Sequence, residues 1–244
     1  MSTVFFVQEP EPPAVPPFSL REFGRGMLEP FAAFDFRWVF LTRFLVMLGT
    51  FTVQELLQYY MRDIIAGGKE VFTYLHSFLG QPVIDAKGAA AVFSLMLLLG
   101  AVLSTFFAGS LSDRYGRKLM VYLSGAMQGG ATIILLFIGQ YQLALLLGLL
   151  FGIGYGAYQA VDWALVTDVL PHAEDNAKDM GVWHIAVTLP QVIATPIAGL
   201  LLDKGQHFGQ AHGAPNLGYT VVFVIAFVYF LLGTVLVRKI KGAR

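Results

Sequence analysis

The chain has 244 residues, of which 56% are hydrophobic and 13% are charged, and its mean hydropathy is +0.65. A soluble domain carries about a quarter charged residues, so this composition excludes an ordinary water-exposed fold and predicts that lipid covers much of the surface. Zero net charge gives no electrostatic support for a nucleic-acid partner, and the absence of cysteine excludes disulfides, thiolate metal sites and thiol catalysis.

The region before the first apolar run divides into two parts. Residues 1–17 are rich in proline, carry Glu9 and Glu11, and lack the charged start of a signal peptide. This pattern predicts a short disordered or polyproline-II tail. Residues 18–37 mix aromatic and charged side chains, which is typical of an amphipathic cytoplasmic segment lying at a membrane surface.

Six apolar stretches follow, and each approaches the ~20 residues that a helix needs to cross a bilayer. They lie at residues 38–60, 89–110, 119–139, 142–167, 181–202 and 218–237. Barrel strands need only about ten residues and alternate in polarity, which these runs do not. We therefore predict an all-α fold: a polytopic membrane protein in which residues 38–244 form a domain of six transmembrane helices.

The distribution of lysine and arginine predicts the orientation of these helices. With the N-terminus in the cytoplasm, eleven of these residues fall on the cytoplasmic side and four on the other side. The eleven are Arg21, Arg25, Arg37, Arg114, Arg117, Lys118, Lys178, Arg238, Lys239, Lys241 and Arg244, and the four are Arg62, Lys69, Lys87 and Lys204. We expect an integral protein of the plasma (inner) membrane with both termini in the cytoplasm.

The most charged tight turn of the sequence lies between the second and third predicted helices, at residues 109–118. It reads G-x-x-x-D-R-x-G-R-K, and the marked positions are Gly109, Asp113, Arg114, Gly116, Arg117 and Lys118. Glycine permits close helix approach and a tight turn. Asp113 can bind the positive end of another helix or an arginine, in a contact that one conformation makes and another breaks. The alternative is that these charges only set the topology.

This turn resembles the signature loop of the major facilitator superfamily, a large class of secondary transporters. Six helices with the loop between the second and third resemble one half of such a transporter. Residues 161–171, followed by Lys178 and Asp179, resemble the tenth helix and next loop of a C-terminal half. The resemblance implies a solute path between two halves, with the loop as its cytoplasmic gate. We therefore expect a homodimer or a separate partner half to complete the path.

Three predicted helices carry polar side chains at helical spacing, and polar groups within a membrane are a functional hypothesis by default. The candidates for binding substrate or protons are Gln54, Glu55 and Gln58 in the first helix, Tyr155, Gln159 and Asp162 in the fourth, and His184, Thr188 and Gln191 in the fifth. Each stripe has a structural alternative. Glu55 would pair with Arg62 or Arg43, Asp162 would bind another helix, and the fifth-helix stripe would pack against its neighbours.

Gly148, Gly152 and Gly156 repeat at four-residue spacing in the fourth helix and predict close helix packing. No metal-ligand spacing, phosphate loop or nucleophile triad is present in the sequence, so we predict no enzyme, no metal and no cofactor. The leading interpretation is secondary transport of a small polar solute, a sugar being one candidate, as a symporter coupled to protons or another cation. The alternatives are a non-transporting structural or assembly subunit of a larger membrane complex, and a fragment of a twelve-helix transporter.

Overall fold

A computed structural model describes residues 19–67, 85–170 and 176–242, so the predicted tail at residues 1–17 lies outside the described residues. The helices are α1 Leu20–Leu28, α2 Phe34–Tyr60, α3 Ala86–Tyr115, α4 Arg117–Leu135, α5 Tyr141–Thr167, α6 Asn176–Ala211 and α7 Leu217–Leu236. Short 3-10 turns follow α1 at Glu29–Ala32 and α7 at Val237–Lys239, and a π-helical turn at Met61–Ile65 extends α2. No strand occurs within the described ranges.

The six long helices, α2 to α7, coincide with the six predicted apolar stretches. Five of them, α2 with its extension, α3, α5, α6 and α7, are long and apolar enough to cross a membrane. Helix α4 is not among the five, because Arg117, Lys118 and Gln128 lower the mean hydropathy of this 19-residue helix. The prediction of an all-α membrane fold is confirmed, while a crossing by α4 and the cytoplasmic position of both ends stay predictions.

Local sequence accounts for several helix boundaries. Asp85 caps α3, since its carboxylate accepts a hydrogen bond from the Gly88 backbone N–H at 2.7 Å. Gly116 separates α3 from α4 with a φ of 95°, a conformation that side chains rarely allow. Helix α6 continues through Pro190 and Pro196 and runs past the predicted end at residue 202. Its 36 residues rise about 54 Å, more than the ~30 Å of a hydrocarbon core.

The long helices pack as two groups of three. Helix α2 packs on α6 and α7, and α5 packs on α3 and α4. The main contact between the two groups is that of α4 with α7. The first three long helices and the last three have matching contacts: α2 corresponds to α5, α3 to α6 and α4 to α7. A three-plus-three structural repeat produces this pattern.

The predicted close packing of the glycine repeat is found between α3 and α5, the most extensive helix pair. A Cβ atom on Gly152 would collide with the backbone carbonyl of Leu97 in α3, and one on Gly156 would also collide with the backbone of α3. At Gly148, a Cβ would lie 3.1 Å from the ring of Phe93. Small residues therefore let α5 pack closely on α3.

Candidate transport site

A pair of opposite charges lies at the centre of the bundle, where α2 meets α5. The Arg43 guanidinium and the Asp162 carboxylate form a salt bridge, and their side chains are 2% and 1% exposed. The Tyr158 hydroxyl also donates a hydrogen bond to Asp162 Oδ1 at 3.1 Å. The pair is neutral as a whole, and its mutual attraction offsets part of the cost of removing both charges from water. This contact supports the hypothesis that Asp162 is a structural partner of another helix.

Trp183 of α6 packs against the arginine of this pair. The guanidinium carbon of Arg43 lies 3.8 Å from the centroid of the Trp183 ring, which is a cation–π contact. Trp183 is fully buried and packs edge-on against Trp163 of α5, with the ring centroids 5.0 Å apart. We call Arg43, Tyr158, Asp162 and Trp183 the buried cluster. It brings α2, α5 and α6 together at one point.

The polar stripe of α2 lies on the outside of the described bundle. Gln54, Glu55 and Gln58 are all exposed, and the neighbouring Tyr59 is 47% exposed. Glu55 is twelve residues from Arg43 along α2, a rise of about 18 Å. Arg43 and Glu55 therefore lie at different levels along α2 and in different surroundings.

Both predicted partners of Glu55 are engaged elsewhere. Arg43 belongs to the buried cluster, and Arg62 Nε donates a hydrogen bond to Asp63 Oδ1 at 2.6 Å. Asp63 also accepts a hydrogen bond from the Tyr219 hydroxyl of α7 at 2.5 Å. Glu55 itself forms no ion pair with any residue in the described ranges. The structural alternative that paired Glu55 with Arg43 or Arg62 is therefore wrong.

Helices α5 and α6 carry the other two predicted stripes. In α5, the Gln159 side-chain amide donates a hydrogen bond to the Tyr155 hydroxyl at 3.0 Å, and both residues are half-buried. In α6, His184, Thr188 and Gln191 are exposed. Polar side chains at membrane depth rarely face lipid, so this exposure indicates a surface that water or a second protein unit covers.

The three stripes lie on neighbouring helices, because α2 packs on α6 and the buried cluster joins α5 to both. We call these residues the open polar surface: Gln54, Glu55, Gln58, Tyr155, Gln159, His184, Thr188 and Gln191. Glu55 is its one carboxylate. In the part of the chain that the structure describes, no group of three or more histidine, aspartate or glutamate side chains is placed to hold a metal ion.

The signature loop is attached to the end of α5. Arg117 follows Gly116 directly, forms an ion pair with Asp168 and donates a hydrogen bond to the carbonyl oxygen of Ala164. The side chains of Arg117 and Asp168 are 23% and 35% exposed, so water reaches this pair. Asp113 is exposed. A cavity of about 390 Å³ opens here, lined by Ser112, Asp113, Gly116, Arg117, Asp168 and Gly242.

The other marked positions of the loop contact little. Arg114 is exposed, with its guanidinium 5.5 Å from the ring centroid of Tyr115, and Lys118 is half-buried. Apart from its chain neighbours and the backbone of its own helix, Gly109 has no atom of the described residues within 4 Å of the place where a Cβ would lie. The close helix approach predicted at Gly109 is therefore not made within the described part of this chain.

Sequence reasoning missed a contact between the start of α2 and the segment that follows α7. Asp35, in the first turn of α2, accepts hydrogen bonds from the backbone N–H groups of Lys241 at 2.7 Å and Gly242 at 2.8 Å. Gly242 also lines the cavity beside the signature loop. An acidic residue in the first turn of a helix is a recognisable signal, but nothing in the sequence identified residues so far along the chain as its partners.

The chain belongs to the major facilitator superfamily, since the model of the family described as Major Facilitator Superfamily matches residues 39–242. The match includes α3 to α7, all of α2 after its first five residues, the signature loop and the open polar surface. The predicted family is therefore confirmed.

Similar curated proteins include solute transporters of animals. The organic cation/carnitine transporter 2 of Rattus norvegicus is 30% identical over 81 residues, which are 33% of this chain and 14% of the relative. The Homo sapiens transporter of the same name is 29% identical over 75 residues, 31% of this chain and 14% of the relative. Solute carrier family 22 member 21 of Mus musculus is 35% identical over 72 residues, 30% of this chain and 13% of the relative. The matched part thus spans about a seventh of each relative, and these relatives are transporters rather than enzymes.

Proposed function

We propose that the chain is one six-helix half of a secondary transporter for small organic cations. One observation carries this proposal: polar residues of three neighbouring helices are exposed or half-buried, and Glu55, the one carboxylate among them, has no ion-pair partner in the described residues. An unpaired carboxylate within a membrane is costly unless water or a cation reaches it. A solute path supplies both.

The chemistry around Glu55 suits a cation. Tyr59 lies one helical turn away and is 47% exposed, so a bound cation can contact the carboxylate of Glu55 and the ring of Tyr59 together. The printed names of the relatives state organic cations and carnitine, which supports the same solute class. These names give no support to the sugar predicted from the sequence.

Coupling to protons or to another cation remains part of the proposal. His184 is exposed on the open polar surface, directly after Trp183 of the buried cluster. A histidine can change its charge near neutral pH, so His184 is the proposed coupling residue. In this account, Asp162 positions α2, α5 and α6 through its salt bridge with Arg43 and does not bind the solute.

We also propose that a second six-helix unit, either another copy or a partner half, faces the open polar surface. The signature loop would then close the cytoplasmic end of the path, with Asp113 facing the start of α6 in the other unit. Asp113 is exposed and therefore accessible to such a unit. We further propose that the protein lies in the plasma (inner) membrane with both termini in the cytoplasm, which the bias of lysine and arginine supports.

The test is uptake of radiolabelled tetraethylammonium into proteoliposomes that contain the wild-type protein with any partner that co-purifies. We expect saturable uptake, and we expect Glu55→Gln to weaken cation binding about ten- to a hundredfold, because a charged contact is lost. Asp203→Asn is the matched control, since Asp203 is an exposed carboxylate of α6 outside the open polar surface. Equal uptake by the Glu55 variant and the control would contradict the proposed site.

A second measurement separates transport from the structural alternative. Crosslinking in native membranes should capture either another copy or one other six-helix protein. No uptake, together with crosslinks to a large complex of unrelated proteins, would contradict the transporter and support a structural or assembly subunit.

A further inference from the structure

Helix α1 carries an apolar surface that the bundle leaves exposed. Leu20 is 78% exposed, Phe23 is 55% exposed and Leu28 is 70% exposed. At 100° per residue, these three side chains and Met27 fall on one side of the helix. Only Met27 is partly buried against the core. Most of the apolar side of α1 therefore faces outward.

The basic residues of α1 lie beside this apolar side. Arg21 and Arg25 are both exposed. The charged residues of α1 are Arg21, Glu22 and Arg25, which leaves the helix with a net positive charge. A short amphipathic helix with arginine on its polar side is the type of element that lies in the headgroup region of an anionic membrane.

The connection of α1 to the bundle places it at a membrane boundary. One 3-10 turn joins it to α2, which is long and apolar enough to cross the bilayer. Phe31 in that turn packs on Phe36 and Phe40 of α2, with ring centroids 5.6 Å and 4.8 Å apart. Glu29 forms an ion pair with Lys178 in the first turn of α6 at 2.9 Å. The end of α1 is thus tied to the first turns of two spanning helices.

We infer that α1 is a membrane-binding element: its apolar side inserts into the adjacent leaflet, and Arg21 and Arg25 bind anionic phospholipid headgroups. The occupant is lipid rather than another protein because α1 is fixed next to the end of α2, where a bilayer surface must lie. The positive charge of α1 complements an anionic leaflet. This inference is independent of the solute that the protein carries.

Site-directed spin labelling tests this inference on the full chain, since the sequence has no cysteine to remove. Leu20→Cys is labelled in one variant and Arg25→Cys in a matched variant, and both are reconstituted into vesicles of equal parts phosphatidylcholine and phosphatidylglycerol. We expect the label at position 20 to be relaxed mainly by oxygen, which partitions into lipid, and the label at position 25 mainly by a water-soluble nickel chelate. Leu28→Cys is a second probe of the apolar side.

Lipid charge provides the second part of the test. Replacing Arg21 and Arg25 with glutamine, in the Leu20→Cys background, should lower the lipid-inserted population of the label about fivefold for each arginine near the headgroups. The same shift is expected in vesicles of phosphatidylcholine alone. A position-20 label that the nickel chelate reaches as readily as position 25 would overturn the inference. Shielding from both reagents, or spin–spin broadening between copies, would place α1 against protein and would also overturn it.

Discussion

Two arginine–aspartate ion pairs have their aspartate on or just after α5, and one pair is buried while water reaches the other. Asp162 and Asp168 are both on or just after α5, six residues and about 9 Å apart. The Asp162 pair with Arg43 is 1–2% exposed, whereas the Asp168 pair with Arg117 is 23–35% exposed. The first pair lies among Trp183 and Tyr158, and the second lines an open cavity.

The same ion-pair chemistry is therefore suited to two different roles, one in each environment. In the buried cluster, neither charge can be left alone without a large desolvation cost, so the pair holds α2, α5 and α6 in a fixed arrangement. In the signature loop, water competes for both partners, so the pair can break and reform at little cost. The buried pair is suited to positioning helices, and the exposed pair is suited to a gate.

The largest expected effect follows from removing one side of the buried pair. Arg43→Met leaves the Asp162 carboxylate without its partner in a site that is 1% exposed. We expect a loss of about 3–5 kcal/mol in the free energy of unfolding. Thermal unfolding in detergent, followed by tryptophan fluorescence, measures it. A loss below about 1 kcal/mol would mean that water already reaches the pair.

The double variant Arg43→Met/Asp162→Asn separates the effect of a lone buried charge from the loss of the ion pair itself. Neither charge remains, and the asparagine side chain can still accept the hydrogen bond of the Tyr158 hydroxyl, so most of the lost stability should return. The same unfolding experiment measures the recovery. A double variant as unstable as the single variant would show that the arginine contributes by packing on Trp183 rather than by charge.

A smaller effect is expected at the exposed pair. Arg117→Gln should lower the free energy of unfolding by at most about 1 kcal/mol, because both side chains reach water. If the loop is a gate, the variant should still change the accessibility of the open polar surface. Alkylation of a cysteine introduced at Gln191, from each side of the membrane, is the readout. A stability loss as large as that of Arg43→Met would contradict the contrast between the two pairs.

The smallest expected effect is a change in the Tm difference between wild type and variant as the salt concentration rises. At about 1 M salt the screening length falls to about 3 Å, which weakens exposed ion pairs far more than buried ones. The difference in Tm between the wild type and Arg117→Gln should therefore shrink as sodium chloride rises. The difference between the wild type and Arg43→Met should stay constant. The opposite dependence would mean that the buried and exposed assignments are reversed.

Much of the fold was predictable because hydropathy determines which segments form long helices. The predicted stretch 142–167 matches α5 within one residue, and the motif at residues 109–118 correctly indicated the family. Helical spacing also predicted that Glu55 shares a stripe with its polar neighbours. These features depend on local sequence, where the period of the helix is known in advance.

The partners of charged residues were not predictable in the same way. One alternative pairs Arg43 with Glu55, yet Arg43 binds Asp162, which is 119 positions away. Asp35 likewise binds residues of the C-terminal segment. Periodicity shows which side of a helix is polar, but it does not show which helix packs there. That choice depends on contacts between helices, such as the close approach of Gly152 in α5 to Leu97 in α3.

We propose that Glu55 on the open polar surface binds the solute and that Asp162 in the buried cluster holds the helices together. The most direct measurement is the initial rate of organic-cation uptake by Glu55→Gln and by Arg43→Met/Asp162→Asn, side by side in proteoliposomes with matched protein content. We expect the double variant to retain cation uptake and Glu55→Gln to lose it. Retained uptake in Glu55→Gln together with lost uptake in a stably folded double variant would contradict both assignments.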